Sequence, residues 1–224
     1  MTSAGRDAFS ELLYPMLRDR AQASDEVLAQ LALAPLQKSA ETNRLRRQLI
    51  DEHEVEILGC ARDLAAAFGR GARLLACGNG GSATTAADLA ADLLHPGSGR
   101  RPLPALSLTN DVAVVTAVAN DVSFDDVFVR QIIALGRRGD IVVVVSTSGG
   151  SENLVRALQV ARRLEMLTVA LAGYDGGRVA REASVDHLFV IPSSSVHRIQ
   201  EVQTTLCHVL GELIQAQMEE LACA

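Results

Sequence analysis

The chain has 224 residues, of which 21% are charged and 48% apolar, enough for a substantial buried core and too apolar overall for a disordered chain. Its formal charge of −6, its 3% aromatic content and its lack of tryptophan give no basis for nucleic-acid binding, since both phosphate attraction and base stacking are poorly supplied. No basic-then-apolar leader opens the sequence and no apolar run reaches about 18 residues, so a cytoplasmic protein without a membrane partner is expected. Cys60, Cys77, Cys207 and Cys223 lack CxxC spacing, and reduced, mostly buried thiols are the expected state.

Residues 1–24 are weakly patterned. A short helix around Leu12, Leu13, Met16 and Leu17 is interrupted by Pro15. From residue 25 to 69 the pattern is helical. Ser24-Asp25-Glu26 supplies a cap, and Pro35 is either a break or a first-turn proline. Leu45, Leu49, Val55, Ile57, Leu58, Ala61, Leu64 and Phe68 make an apolar stripe that Gly69 and Gly71 end. A strand at 73–77 runs into Gly78-Asn79-Gly80-Gly81-Ser82 and a helix over 83–94. A Pro- and Gly-rich loop covers 95–102, followed by a short strand at 104–108. Asn110-Asp111 caps a helix to about Val118, a turn follows at Asn120-Asp121, and 124–135 is helical again.

The apolar run at 141–145 is a buried parallel strand. It leads into Ser146-Thr147-Ser148-Gly149-Gly150-Ser151 and a helix over 152–163. A strand at 167–171, the turn Gly173-Tyr174-Asp175-Gly176-Gly177, a short helix, a strand at 187–191 and one long helix from 198 to 220 complete the chain. Strands alternating with helices predict an α/β fold: a doubly wound, mainly parallel sheet flanked by helices over 37–224, with a helical N-terminal arm at 1–36.

The stretch 146–151 has the chemistry of a phosphate cradle. A helix N-terminus offers unpaired N–H groups and partial positive charge, the hydroxyls of Ser146, Thr147, Ser148 and Ser151 add donors, and glycines let an anion approach. An ordinary strand-to-helix turn is the plainer alternative. Neither this stretch nor 78–82 matches a Walker or GxGxxG pattern, which favours a small phosphorylated ligand over ATP or NAD. Gly80 and Ser82 would add to the grip from the second glycine turn. Asn79 and Asp121 could bind sugar hydroxyls or simply form turns.

Asp88 and Asp92 lie one turn apart on an otherwise apolar helix. Gln200, Thr204 and His208 form a polar stripe at spacing four on the last helix. Asp88, Asp92, Gln200 and His208 could hold a divalent metal such as zinc, or supply a general base and acid. A solvated helix face and a hydrogen-bonded core histidine are the competing explanations. His197 and Arg198 either meet substrate or form a surface pair, and His53 and His95 read as surface residues.

These residues resemble the sugar isomerase (SIS) domain family, and within it the phosphoheptose isomerases, through CGNGGS at 77–82, VAND at 118–121, STSGGS at 146–151, GYDGG at 173–177 and RIQE at 198–201. The resemblance covers roughly 40–218. It implies an enzyme that interconverts sedoheptulose 7-phosphate and an aldoheptose 7-phosphate through an enediol. It also implies a homotetramer with sites shared between subunits and a zinc ion in several members. Carried onto this chain, Ser82, Ser146, Thr147, Ser148 and Ser151 hold phosphate and Asn79 and Asp121 contact the sugar. Gln200 and His208 fall at active-site positions, with Asp92 as base and His208 as acid and base. The departures are Asp88 for the family's His, Asp92 for its Glu, Pro96 near its Arg, with Arg100 or Arg101 as replacements from the loop, His197 before the RIQE run, and Gly150 for an Asn. A non-catalytic SIS protein that binds a sugar phosphate or a protein partner, such as a replication initiator, is the alternative.

Overall fold

The structure, a computed structural model, describes the backbone of residues 25–223 and the side chains of 33–220. The expected helix around 12–17, the Ser24 cap and the Cys223 side chain lie outside the described residues. Thr42–Ala224 forms one compact unit.

Five parallel strands make a single sheet in the order β2-β1-β3-β4-β5. They are β1 (Leu74–Gly78), β2 (Ala105–Ser107), β3 (Ile141–Val145), β4 (Leu167–Gly173) and β5 (His187–Ile191). The helices are α1 (Asp25–Gly69), α2 (Gly81–Leu94), α3 (Val112–Asp121), α4 (Val127–Leu135), α5 (Glu152–Arg163), α6 (Gly177–Glu182) and α7 (Val196–Cys223), with a 3₁₀ turn at Phe124–Asp126. β1 and β3 are buried at every position, as central strands of a sheet covered on both faces must be.

Successive strand residues point to opposite faces, and this alternation separates two cores. Leu74, Ala76, Ile141, Val143, Val145, Val169, Leu171, Phe189 and Ile191 pack with α1, α2 and α7. Leu75, Cys77, Val142, Val144 and Ala170 pack with α4, α5 and α6.

Four expectations need correction. Pro35 neither breaks nor begins a helix, because it lies inside α1; the irregularity falls at His53, with φ −128° and ψ 18°. The inward face keeps its three- and four-residue spacing through that point, from Leu45 and Leu49 to Ile57, Ala61, Leu64 and Phe68, whereas Val55 and Leu58, expected in the same stripe, fall on the outer face. His53 is half-buried rather than a surface residue, and its ring meets Phe189 edge-on at 6.2 Å. Asn120 and Asp121 are the last residues of α3 rather than a turn after it, because Val122 N–H still reaches the Val118 carbonyl at 3.0 Å. At the start of α3 the expected cap is present: Asp111 accepts from Val114 N–H at 3.1 Å.

The strand order reverses between β1 and β3. In open parallel sheets the crevice outside the carboxyl ends at such a point receives ligands. The loops that leave β1 and β3 there are 78–82 and 146–151.

Candidate active site

The cradle is shaped from within and braced from three sides. Ser146 is buried; its Oγ accepts from Gly149 N–H at 2.9 Å, and its own N–H donates to the Leu171 carbonyl at 2.9 Å. Ser148 Oγ accepts from Gly150 N–H at 3.2 Å. Ser151 is the N-cap of α5, yet its side chain makes no capping bond, so its hydroxyl is available to a ligand. Each of these hydroxyls can still donate its proton to an anion. Thr147 is half-buried and Ser148 exposed, as a binding loop at a crevice requires.

The turn at 173–177 buttresses this loop. Gly149 (φ +60°) lies so close to Gly176 that a Cβ on Gly149 would fall 2.2 Å from the Gly176 carbonyl oxygen. Val179 N–H donates to the Gly149 carbonyl at 2.9 Å. Arg178 donates to Glu152 at the start of α5, and Arg156 Nε donates to the same carboxylate at 2.7 Å. These two guanidinium groups, Arg178 first, hold the Glu152 carboxyl below its ordinary range.

Across the crevice, Asn79 and Asn153 exchange two amide hydrogen bonds, each 3.0 Å. The pair ties the turn after β1 to the first turn of α5. Each amide keeps donor and acceptor capacity beyond this exchange, so Asn79 can still meet a sugar hydroxyl. Asn153 is buried and was not singled out from the sequence, where one Asn in a helix start carries no distance information. Gly80 is exposed with φ +55°, and Ser82 is buried on the inward face of α2 with Thr85 and Ala86. Asp121 is exposed at the end of α3, where Asn120 Nδ2 donates to it at 2.7 Å.

The remaining candidates gather between α2 and α7. Gln200 packs its amide directly on Gly81, where a Cβ would sit 2.2 Å from Nε2. Thr85 and Thr204 share a hydrogen bond at 3.1 Å. His208 Nε2 stands 3.6 Å from Asp92 Oδ2, with both side chains about half exposed. Asp88, His197, Gln200, Thr204 and His208 line one cavity of about 560 Å³ with Gly81 and Arg46. Asp92 and His208 line a second, of about 400 Å³, with His95, Arg100 and Glu212. None of Ser146, Thr147, Ser148, Ser151 or Asp121 lines either cavity. Thus the phosphate-type loop and the carboxylate–imidazole pair form two separate groups within one chain.

The loop after α2 carries Arg100 and Arg101 to different cavities. Leu103 N–H donates to Leu93 O at 2.8 Å, and Gln215 Nε2 donates to Arg101 O at 3.0 Å. Arg100 lines the cavity of Asp92 and His208, whereas Arg101 lines a different one. His95, exposed as expected, lies in the Arg100 cavity too. Cys207 is no nucleophile: burial, then the charges of Asp88 and Asp92, push its thiol up to about 12. Burial alone pushes the Cys77 thiol to about 12.

A hydroxyl-rich helix start, of the kind that suits an anion, and a separate carboxylate–imidazole pair of the kind that can move protons are the two components that chemistry on a phosphorylated carbonyl compound requires. Comparison with known proteins agrees. The model of the SIS domain matches residues 39–173. The phosphoheptose isomerase of Halorhodospira halophila is 44% identical over 173 residues, spanning 76% of this chain and 87% of that protein. The phosphoheptose isomerase of Desulfovibrio desulfuricans is 43% identical over 183 residues, 81% of this chain and 86% of the relative. Among solved structures, a phosphoheptose isomerase from Francisella tularensis superposes with a TM-score of 0.77 at 34% identity, covering 83% of this chain and 98% of that one.

Proposed function

The chain belongs to the SIS domain family, and from that membership and the site above we infer an aldose–ketose isomerase that interconverts sedoheptulose 7-phosphate and an aldoheptose 7-phosphate. The observation that carries this reading is that relatives matched over most of both chains are phosphoheptose isomerases. A non-catalytic SIS protein is not favoured, since the relatives matched over most of both chains are named as isomerases.

The reaction needs an anchor, a base beside C1 and C2, and a group to move the hydroxyl proton. The cradle at 146–151, with Ser82, holds the phosphate, and Asn79 and Asp121 orient the polyol. Asp92 removes a proton from C1 of the ketose. The electron pair forms the C1–C2 double bond, and O2 takes a proton from His208, acting as the acid, to give the enediol. His208 takes the proton from O1 as the C1 carbonyl forms, and Asp92 returns its proton to C2. C1 is oxidised as C2 is reduced within the one molecule, so no redox partner is needed, and the proton held on Asp92 can exchange with solvent before its return.

Carboxylates, an amide oxygen and an imidazole suit a divalent ion such as zinc. The 3.6 Å approach of Asp92 and His208 supports this donor set, although among the described residues no three His, Cys, Asp or Glu groups converge on one point. Asp88, Asp92, Gln200 and His208 would hold the ion, which would polarise the substrate's carbonyl and hydroxyl oxygens. With Asp92 so engaged, His208 or His197 becomes the base.

A homotetramer with shared sites fits two further observations. Ser82 and Asp92 are ten residues apart on α2, about 15 Å at 1.5 Å per residue, so one chain's cradle and reacting pair sit at opposite ends of a helix. A site assembled from the cradle of one copy and the Asp92–His208 pair of another removes that separation. In addition, α3 has an apolar sequence but no buried residue, and Val112 and Phe124 are 66% and 54% exposed. An apolar helix left open calls for a covering partner. Introducing Val112→Glu with Phe124→Glu is expected to reduce the assembly mass in light scattering and to lower turnover with it. An unchanged mass would exclude this face as the interface. Among the described residues no helix is long and apolar enough to cross a membrane.

The isomerase reading is tested by incubating the protein with sedoheptulose 7-phosphate in D₂O, with and without zinc, and following C1 and C2 by NMR. Conversion with deuterium incorporation is expected, and the product's C2 configuration is read from the same spectra. Absence of conversion and of exchange in both arms would refute the enzyme.

A further inference from the structure

α7 makes a third attachment that the reaction scheme does not use. Gln203 is 0% exposed, among the buried Ile199, Val202 and Leu206 of the same helix. Its Nε2 donates to the Ser146 carbonyl at 2.8 Å. A carbonyl can only accept, so this bond sets the amide's orientation and turns Oε1 away. That Oε1 is buried without a hydrogen-bond partner. Leaving a buried acceptor unpaired is unfavourable, and an apolar residue of similar size would avoid it. Packing therefore does not explain a glutamine here.

We propose that Gln203 is a positioning residue that fixes the phosphate cradle against α7 and so sets its geometry for the phosphate. Ser146 has its N–H on Leu171 and its hydroxyl on Gly149, so its carbonyl is the one backbone group free to register the loop against the helix. The same helix places Gln200 on Gly81 and His208 beside Asp92. One rigid element thus touches the loop after β3, the start of α2 and the acid–base pair. Gln203 contacts no substrate; it acts through Ser146.

The proposal rests on the assignment of 146–151 to phosphate, and its test measures phosphate binding apart from catalysis. Gln203→Met keeps the length and apolar bulk of the side chain but removes the donor. It removes the orphan Oε1 but leaves the Ser146 carbonyl without its donor, so the two changes oppose each other and the melting temperature without ligand is expected to change little. The dissociation constant for inorganic phosphate and the KM for sedoheptulose 7-phosphate are expected to rise together, about fivefold, the value of one ordinary hydrogen bond. Gln215→Met is the control. It removes an equally buried amide donor from the same helix, whose partner is Arg101, and should leave phosphate affinity unchanged. If Gln203→Met fails to fold, Gln203→Asn, one methylene too short for the carbonyl, is measured instead. Wild-type phosphate affinity and KM in the folded variant would overturn the proposal, as would an equal loss of affinity in Gln215→Met. A wild-type protein that binds phosphate but performs no isomerisation would refute the enzyme reading and leave this one standing.

Discussion

Asp92→Asn is expected to abolish turnover of sedoheptulose 7-phosphate while leaving phosphate-dependent thermal stabilisation in place. The amide keeps the size of the side chain and can still accept a hydrogen bond, but it cannot take a proton from carbon. General acid–base groups contribute roughly 10²–10⁴-fold to rate, so the loss should fall in that range or beyond. His208→Ala is expected to do the same, because the hydroxyl proton then has no carrier and the 3.6 Å partner of Asp92 is gone. The decisive measurement is deuterium incorporation at C1 and C2. Asp92→Asn should block exchange itself, whereas His208→Ala can leave slow exchange without product. Both residues lie outside the cradle, so stabilisation by phosphate should match wild type in both variants. Full activity in both would remove the acid–base roles assigned to this pair. Asp92 is also about one methylene shorter than a glutamate. Asp92→Glu therefore asks whether the pocket is built for the shorter acid, since about 1 Å of misplacement can cost roughly 100-fold.

Gly149→Ala is expected to destroy phosphate binding and to lower stability together. At φ +60° the residue is left-handed, which costs an L-amino acid about 1–2 kcal/mol. The new Cβ would also meet the Gly176 carbonyl oxygen at 2.2 Å and the Gly177 nitrogen at 3.2 Å. These are backbone atoms of a turn that is itself held by the Val179–Gly149 hydrogen bond, so no flexible side chain can yield. One of the two loops must move. Either movement displaces Gly149 N–H from Ser146 Oγ and opens the cradle. The readouts are the melting temperature and the shift produced by inorganic phosphate. Gly150→Ala is the comparison, because its Cβ would approach nothing nearer than Ser148 Oγ at 3.7 Å. It should retain both stability and the phosphate shift. A Gly149→Ala protein with an intact phosphate response would show that the interlock is not what shapes the loop.

The two variants probe groups of different legibility. The cradle is a local feature: an apolar β-branched run, a hydroxyl- and glycine-rich turn and a helix start are adjacent in the chain, and their order alone places the loop at a strand's carboxyl end. The same logic recovered all five strands and the helices that separate them. It misjudged α1 at Pro35, which the helix carries at an exposed position, and at His53, where the backbone leaves helical geometry. It also ended α3 early at Asn120 and Asp121, residues whose turn preference yielded to the helical hydrogen bonds of the turn before.

Composition and periodicity therefore determined the fold class, the position of the hydroxyl- and glycine-rich loop after β3 and the two helices that carry the polar stripes. The family resemblance rested on motifs that lie in such local stretches. Only the tertiary structure could decide which partners meet. Asn79 pairs with Asn153 across 74 residues, and Gln203 reaches Ser146 across 57. Arg100 rather than Arg101 enters the cavity of Asp92 and His208, and the glycines of 173–177 serve to brace the cradle. The reason is physical: a periodic pattern records which face of an element is apolar, whereas these contacts depend on how far apart two faces come to rest after the sheet and its helices have packed.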